Sequence, residues 1–175
     1  MNPVLNSPTR LKKTGLMWQD SKKNILFVLD SLDCAGAEKS LVTLMSLLDY
    51  SEYSVDLLLF AHGGALEELV PKEVNILPPL KYTEFTKLNV KDAFINSVKN
   101  KSFSMLFSRF KYSFKIRKKE YLNNEKARIF WESVSHNIEN YPKEYDIAIS
   151  YAQSIPTFYV ASKVKANKKF SWVNV

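Results

Sequence analysis

The sequence predicts an α/β fold, in which helices cover both faces of a parallel β-sheet. The first observation is an apolar run at residues 25–29, bounded by polar residues, which is typical of a strand buried on both faces. The second is a set of apolar residues at helical spacing directly after this run: Leu41, Leu44, Met45 and Leu48. A second apolar run follows at residues 53–60, and a strand, helix and strand in this order favour parallel pairing.

Length and composition limit the class of protein. A chain of 175 residues with 46% hydrophobic residues suits one globular domain with enough core to fold alone. The net charge of +7 indicates an anionic partner or surface. Cys34 is the only cysteine, which fits a reducing compartment. The sequence has neither a signal peptide nor an apolar run near the ~20 residues of a membrane span, so we expect a cytoplasmic protein.

Residues 1–22 are predicted to form a loosely ordered leader, and residues 23–175 are predicted to form the folded domain.

The stretch from the first strand into the first helix has the character of an anion-binding loop. Gly36 is expected to turn the chain and to let another molecule approach the backbone. The N–H groups of Gly36, Ala37 and Glu38 would then face outward at a helix start, where a phosphate is favoured.

The remaining strands are predicted at residues 74–77, 146–151 and 170–173. Further helices are predicted at residues 65–69, 124–138 and 156–164. Tyr151, Gln153 and Ser154 follow the fourth strand, where an α/β sheet opens its ligand crevice. Capping of the next helix is the expected role of Ser154, with ligand contact as the alternative.

A basic helical insert is predicted between the third and fourth strands. Aromatic and apolar residues recur on one side of it: Phe103, Leu106, Phe107, Phe110 and Phe114. Basic residues surround them: Arg109, Lys111, Lys115, Arg117, Lys118 and Lys119. This pattern is typical of a helix that lies in a membrane interface, but a core-facing aromatic stripe has the same periodicity. No base-reading motif accompanies the charge, so nucleic acid is not an expected partner.

Motifs of other common site classes do not occur in the sequence. The two histidines, His62 and His136, and Cys34 have no recognised metal-ligand spacing, so we expect no metal site. The first loop has one glycine where the dinucleotide fingerprint needs three, which argues against a dinucleotide oxidoreductase. His62-Gly63-Gly64 lacks the Gly-x-Ser-x-Gly turn that would accompany it in an esterase.

Three segments together resemble a known family. Residues 31–38 (SLDCAGAE), 145–151 (YDIAISY) and 170–174 (FSWVN), in this order of elements, resemble the N-terminal domain of family-4 glycosyltransferases. These are retaining enzymes of the two-domain GT-B architecture, and the resemblance covers about residues 24–175. We therefore predict a Rossmann-like parallel sheet in the order 3-2-1-4-5, with the basic insert after strand 3.

The resemblance implies two groups of site residues. The donor group, which approaches the diphosphate of a nucleotide-sugar, comprises Ala35, Gly36, Ala37 and Glu38. The acceptor-side group comprises Ser31, Asp33, Tyr151, Gln153, Ser154 and Asn174. Glu38 has an alternative role, because a carboxylate in a first helical turn stabilises the helix dipole by about 0.3–1 kcal/mol without any ligand. Asn174 stands where many relatives carry histidine, and an amide supplies no titrating imidazole. No catalytic residue is assigned.

The family's donor-binding residues belong to a C-terminal domain that is absent from this sequence. We therefore expect this chain alone to fold but to transfer sugar weakly or not at all. The implied partners are a nucleotide-sugar donor, which is a substrate and not a cofactor, a glycan or lipid-linked acceptor, and that C-terminal domain in cis or trans. The alternative is a non-catalytic nucleotide-binding or membrane-adaptor domain.

The resemblance also favours a membrane role for the insert. Many enzymes of this family build surface polysaccharides on lipid-linked acceptors at the inner face of a membrane. An anionic membrane surface is therefore an expected partner, which implies peripheral attachment. The expected membrane-facing residues are Phe103, Phe107, Phe110, Phe114, Arg109, Lys111, Lys115 and Lys118.

Overall fold

The computed structural model describes residues 22–99, 103–117 and 120–173. Its strands form one parallel sheet in the order β3-β2-β1-β4-β5, which confirms the predicted fold class and strand order. The strands are β1 (Lys23–Leu29), β2 (Tyr53–Leu59), β3 (Asn75–Ile76), β4 (Glu144–Ser150) and β5 (Lys165–Ser171). Of the predicted leader, only Lys22 lies within the described residues.

The helices of the described chain flank this sheet. They are α1 (Gly36–Ser46), α2 (Lys81–Lys87), α3 (Val90–Lys99), α4 (Ser104–Ile116), α5 (Asn123–Val134) and α6 (Ile155–Lys163). Short 3-10 turns occupy Glu67–Leu69 and Ser135–Asn137. Helices α2 to α5 all lie between β3 and β4, so the predicted helical insert after strand 3 is present.

The edge strands differ most from the prediction. β5 begins at Lys165, five residues earlier than expected, and most of its residues are exposed. It pairs in parallel with β4, from Glu144 opposite Lys165 to Ser150 opposite Ser171. Because its residues are exposed on both faces of the sheet, β5 needs no continuous apolar run. A search for apolar runs therefore detected only the end of β5. The same search predicted a strand at residues 74–77, but β3 has only two residues.

Side-chain alternation along the central strands divides the core into two layers. Leu26 and Val28 of β1 pack with Tyr159 and Val160 of α6 and with residues of the insert. Phe27 and its neighbours on the opposite face pack against Leu41 and Met45 of α1, as the helical spacing predicted. The sheet is thus covered on both faces, and its loops are held by rigid elements.

A buried carboxylate joins three strands. Asp56 of β2 is 3% exposed and accepts hydrogen bonds from the Tyr145 hydroxyl at 2.7 Å, Lys143 Nζ at 2.9 Å and Asn75 Nδ2 at 2.9 Å. Burial alone would raise the pKa of Asp56, but these donors and the Lys143 charge outweigh it and lower the pKa. The cluster ties β2, β3 and the start of β4 together.

Candidate functional site

The candidate site lies at the carboxyl edge of the sheet, between β1 and β4. The chain winds from β1 towards β3 on one side and from β4 to β5 on the other, so the strand order reverses between β1 and β4. Ligands of open α/β sheets bind in the crevice at such a point. Asp30 follows β1 and Tyr151 follows β4, and the Tyr151 N–H donates to the carbonyl of Val28 at 2.9 Å.

A pocket of about 330 Å³ opens at this edge. Its walls are mainly apolar and aromatic, and they include Phe60, Tyr82, Phe130, Ile138 and Ile155. Its polar groups are Asp30, Thr83, Thr86 and Lys87. Apolar walls with a few convergent polar groups are the usual composition of a small-molecule site.

Asp30 is the ionisable group at the centre of this arrangement. Although its side chain is exposed to solvent, closely packed protein atoms reduce its solvation and raise its pKa to about 6, and the charge of Glu38 adds to the rise. The carboxyl group therefore changes its protonation state near neutral pH. Sequence reasoning missed Asp30, although its position directly after a buried strand was a usable signal.

The predicted donor loop forms the start of α1. Ala35 occupies the N-cap position, and within the described residues no side chain caps it. A Cβ added to Gly36 would meet no described atom within 4 Å, so the backbone here is open to another molecule. The φ of Gly36 lies outside the left-handed region, so the expectation that the turn needs this glycine was wrong.

Gly64 is the glycine that close packing requires. A Cβ at Gly64 would lie 2.3 Å from the carbonyl oxygen of Leu32, in the loop after β1. The N–H groups of Gly63 and Gly64 donate to Glu67 Oε1 at 2.6 and 3.0 Å. The His62-Gly63-Gly64 segment therefore packs directly against the loop after β1.

Glu38 gives the start of α1 an acidic character. One of its carboxylate oxygens, Oε2, is buried and has no hydrogen-bond partner among the described residues. Glu38 also lies close enough to Asp30 for its charge to raise the pKa of that residue. A diphosphate bound here would meet two carboxylates, so it would need cationic groups from outside this loop.

Tyr151 follows β4 at this edge, as predicted, but its side chain is buried, at 1% exposure, and is not open to a ligand. Its hydroxyl lies 2.9 Å from Ser40 Oγ of α1, and its ring stacks on Trp172 with centroids 5.4 Å apart and planes at 10°. Trp172 follows β5 and is 51% exposed. Tyr151 thus supports an exposed aromatic surface at this edge, which sequence reasoning also missed.

The other predicted acceptor-side residues within the described ranges lie at the same edge and differ in exposure. Ser31 Oγ donates to Asp33 Oδ2 at 2.7 Å, and this pair is exposed. Gln153 is exposed in the loop after β4. Asn174 lies outside the described residues.

Ser154 occupies the N-cap position of α6, as expected, but with an unexpected geometry. Its φ is 70° and its ψ is −117°, and it makes no side-chain capping hydrogen bond to the described residues. The predicted capping bond was therefore wrong. A positive φ in a residue with a Cβ costs of order 1–3 kcal/mol and is frequent near binding sites.

The aromatic face of α4 points to solvent. Phe103, Phe107, Phe110 and Phe114 are 53%, 71%, 56% and 67% exposed. The alternative of a core-facing stripe is thus wrong, and Leu106 takes the buried position instead. Every helix within the described ranges is too short or too polar to span a bilayer.

The predicted basic residues of α4 divide into two kinds. Arg109 is half-buried and donates from Nη1 to the carbonyl of Leu88 at 2.8 Å, so it fastens α4 to the end of α2. Lys111 is exposed and Lys115 is half-buried. Lys118 lies outside the described residues.

Neither a metal site within the described residues nor a matching protein adds to this picture. In the described ranges, no group of three or more His, Cys, Asp and Glu side chains could hold a metal ion. The chain matches no protein-family model, no curated protein and no solved structure. The resemblance to family-4 glycosyltransferases therefore stays a prediction.

Proposed function

We propose that this chain is the acceptor-binding half of a glycosyltransferase, which moves a sugar from a nucleotide-sugar to a glycan or lipid-linked acceptor. The observation that carries the proposal is the pocket beside Asp30, at the reversal of strand order. A sugar ring has apolar C–H faces and a rim of hydroxyl groups. The aromatic walls suit the faces, and Asp30, Thr83 and Thr86 suit the hydroxyl groups.

Asp30 would hold the hydroxyl group of the acceptor that receives the sugar. In its ionised form the carboxylate accepts a hydrogen bond from that hydroxyl and favours loss of its proton as the new bond forms. A pKa of about 6 suits this exchange, because proton transfer is most effective when the pKa is near the working pH. Asp30 joins the acceptor side in place of the buried Tyr151.

The donor would lie against the open start of α1, at Ala35, Gly36 and Ala37. Backbone N–H groups at a helix start favour phosphate. Glu38 and Asp30 oppose it, so the leaving diphosphate needs basic residues from a C-terminal domain in cis or trans. Nucleotide and acceptor would meet across the crevice, with no cofactor required.

A transfer assay tests this division of labour. Radiolabelled nucleotide-sugars are offered with glycan and lipid-linked acceptors to the chain alone and to the chain together with its donor-binding domain. We expect transfer only with both, and at least about tenfold less transfer for Asp30→Asn, because a hydrogen bond to a charged group contributes roughly 1.5–3 kcal/mol. The exposed Asp49→Asn is the matched control. Fast transfer by the chain alone, or undiminished transfer by Asp30→Asn, contradicts the proposal.

A membrane adaptor without transfer activity is the second candidate. The exposed phenylalanines of α4 favour it, because docking on a bilayer needs a surface and no catalytic crevice. The two candidates differ in saccharide binding, since the adaptor has no reason to bind sugars beside Asp30. Membrane binding together with no saccharide binding would favour the adaptor.

A further inference from the structure

The insert presents a two-helix apolar surface to solvent. We call it the insert surface and define it by eight side chains: Val90, Phe94, Ile95 and Val98 of α3, and Phe103, Phe107, Phe110 and Phe114 beside and along α4. Each of them is between 51% and 71% exposed. Single exposed apolar residues are common, but eight on two consecutive helices indicate a binding surface.

The two helices that carry these side chains are packed together. Ala93 and Ser97 of α3 are buried, and Ala93 belongs to the same small core cluster as Leu106 of α4. Val90 and Phe110 line one groove of about 260 Å³ between the helices. The apolar rows of α3 and α4 therefore meet at Val90 and Phe110.

Positive charge is concentrated on the same segment. Residues 87–119 contain ten Lys and Arg residues and one acidic residue, Asp92, which is a net charge of +9. The whole chain carries +7, so its other residues together are slightly acidic. Arg109 and Arg117 line the groove beside Phe110. An occupant that is both anionic and apolar therefore fits the insert surface best.

We propose that the insert surface docks on the anionic face of a lipid bilayer. The phenylalanine rings enter the boundary between headgroups and acyl chains, and the basic side chains lie against lipid phosphates. A second copy of the chain would place two strongly positive surfaces face to face, which electrostatic repulsion disfavours. An anionic bilayer supplies the apolar interior and the negative charge together.

Vesicle flotation tests the docking directly. The chain is mixed with phosphatidylcholine vesicles that contain or lack phosphatidylglycerol, at low and high salt. We expect flotation with the anionic vesicles, much less with pure phosphatidylcholine, and weaker binding at high salt because the charges are screened. No binding to anionic vesicles overturns the proposal.

Matched substitutions locate the contact. The double variant Phe107→Ser and Phe110→Ser is expected to lower partition into anionic vesicles at least about tenfold. Phe94→Ser tests the share of α3. Leu47→Ser is the control, because Leu47 is 78% exposed on the other side of the sheet, at the end of α1. Equal loss for Leu47→Ser, or no loss for the double variant, overturns the proposal.

A spectroscopic variant covers the case in which the double variant folds poorly. Phe107→Trp keeps an aromatic ring at the most exposed phenylalanine of α4. Its fluorescence should shift to shorter wavelength when anionic vesicles are added, whereas Leu47→Trp should show no such change. An unchanged spectrum for Phe107→Trp overturns the proposal. So does a dimer in solution that the serine double variant dissociates, because a second copy would then be the occupant.

Discussion

Asp30 changes its protonation state near neutral pH, which couples the candidate site to the stability of the fold. Its pKa rises from the ordinary 3.8 to about 6, first because packed protein atoms reduce its solvation and second because of Glu38. The native chain therefore binds this proton more tightly than the unfolded chain does. Ligands that donate hydrogen bonds would favour the ionised form.

The pH dependence of unfolding gives the first prediction. Because the native pKa is raised, the free energy of unfolding should fall as pH rises from 3.8 to about 6 and then level off. Asp30→Asn should remove this part of the fall, and urea unfolding across that pH range measures it. Asp33→Asn, an exposed change in the same loop, is the control and should keep the fall. Identical pH profiles for Asp30→Asn and the unaltered chain would contradict the assignment.

At the scale of elements, the start of α6 stores backbone strain where the crevice opens. Ser154 has a positive φ that residues with a Cβ rarely adopt, and its side chain makes no capping hydrogen bond to the described residues. Glycine adopts this conformation without the clash. Backbone strain of this kind clusters at binding sites. It therefore favours ligand contact over capping as the role of Ser154.

Substitution of Ser154 gives the second prediction. Ser154→Gly should raise the free energy of unfolding by about 1 kcal/mol, because relief of strain exceeds the added entropy of the unfolded glycine. Ser154→Ala should change it by less than about 0.5 kcal/mol, because no capping bond is lost. Chemical denaturation measures both. A Ser154→Gly variant that is less stable than the unaltered chain would contradict the presence of backbone strain at Ser154.

At the scale of the whole molecule, the buried Asp56 cluster joins β2 and β3 to residues at the start of β4, which lie 87 and 89 positions after Asp56. Asp56→Ala should lower the free energy of unfolding by about 2–3 kcal/mol, because it leaves the Tyr145 and Asn75 donors without their acceptor. Since the pKa of Asp56 is lowered, its contribution is complete above the ordinary pKa and is lost as pH falls through the native value.

Glu144→Gln is the control for Asp56→Ala. It removes an exposed ion pair with Lys165 and should cost about 0–1 kcal/mol. Denaturant unfolding near neutral pH compares the two variants. Equal costs for the two substitutions would show that the buried cluster contributes little.

The strands that are buried on both faces were predictable, and the pocket was not. Strands such as β1 have continuous apolar runs because both faces are covered, whereas the exposed β5 lacks that signal. The pocket walls come from Phe60, Tyr82, Phe130 and Ile155, which only the tertiary fold brings together. The burial of Tyr151 was not predictable from its position after β4, because its partners Ser40 and Trp172 come from α1 and from the end of β5.

The insert connects the pocket to the proposed docking surface. Helix α2 contributes Tyr82 and Thr83 to the pocket wall, and Arg109 of α4 holds the end of α2 at Leu88. If both proposals hold, an acceptor carried by a lipid would reach the pocket from the membrane side. Loss of docking should then reduce transfer to lipid-linked acceptors more than transfer to free saccharides.

Saccharide binding, mapped by NMR on the ¹⁵N-labelled chain, tests whether the pocket beside Asp30 holds a sugar. Hexoses and short glycans are titrated into the chain, and amide shifts are followed residue by residue. We expect shifts concentrated at Asp30, Ala61, Thr83 and Thr86, and their loss in Asp30→Asn but not in Asp49→Asn. Absence of any saccharide-induced shift, or shifts confined to residues outside the pocket, would contradict it.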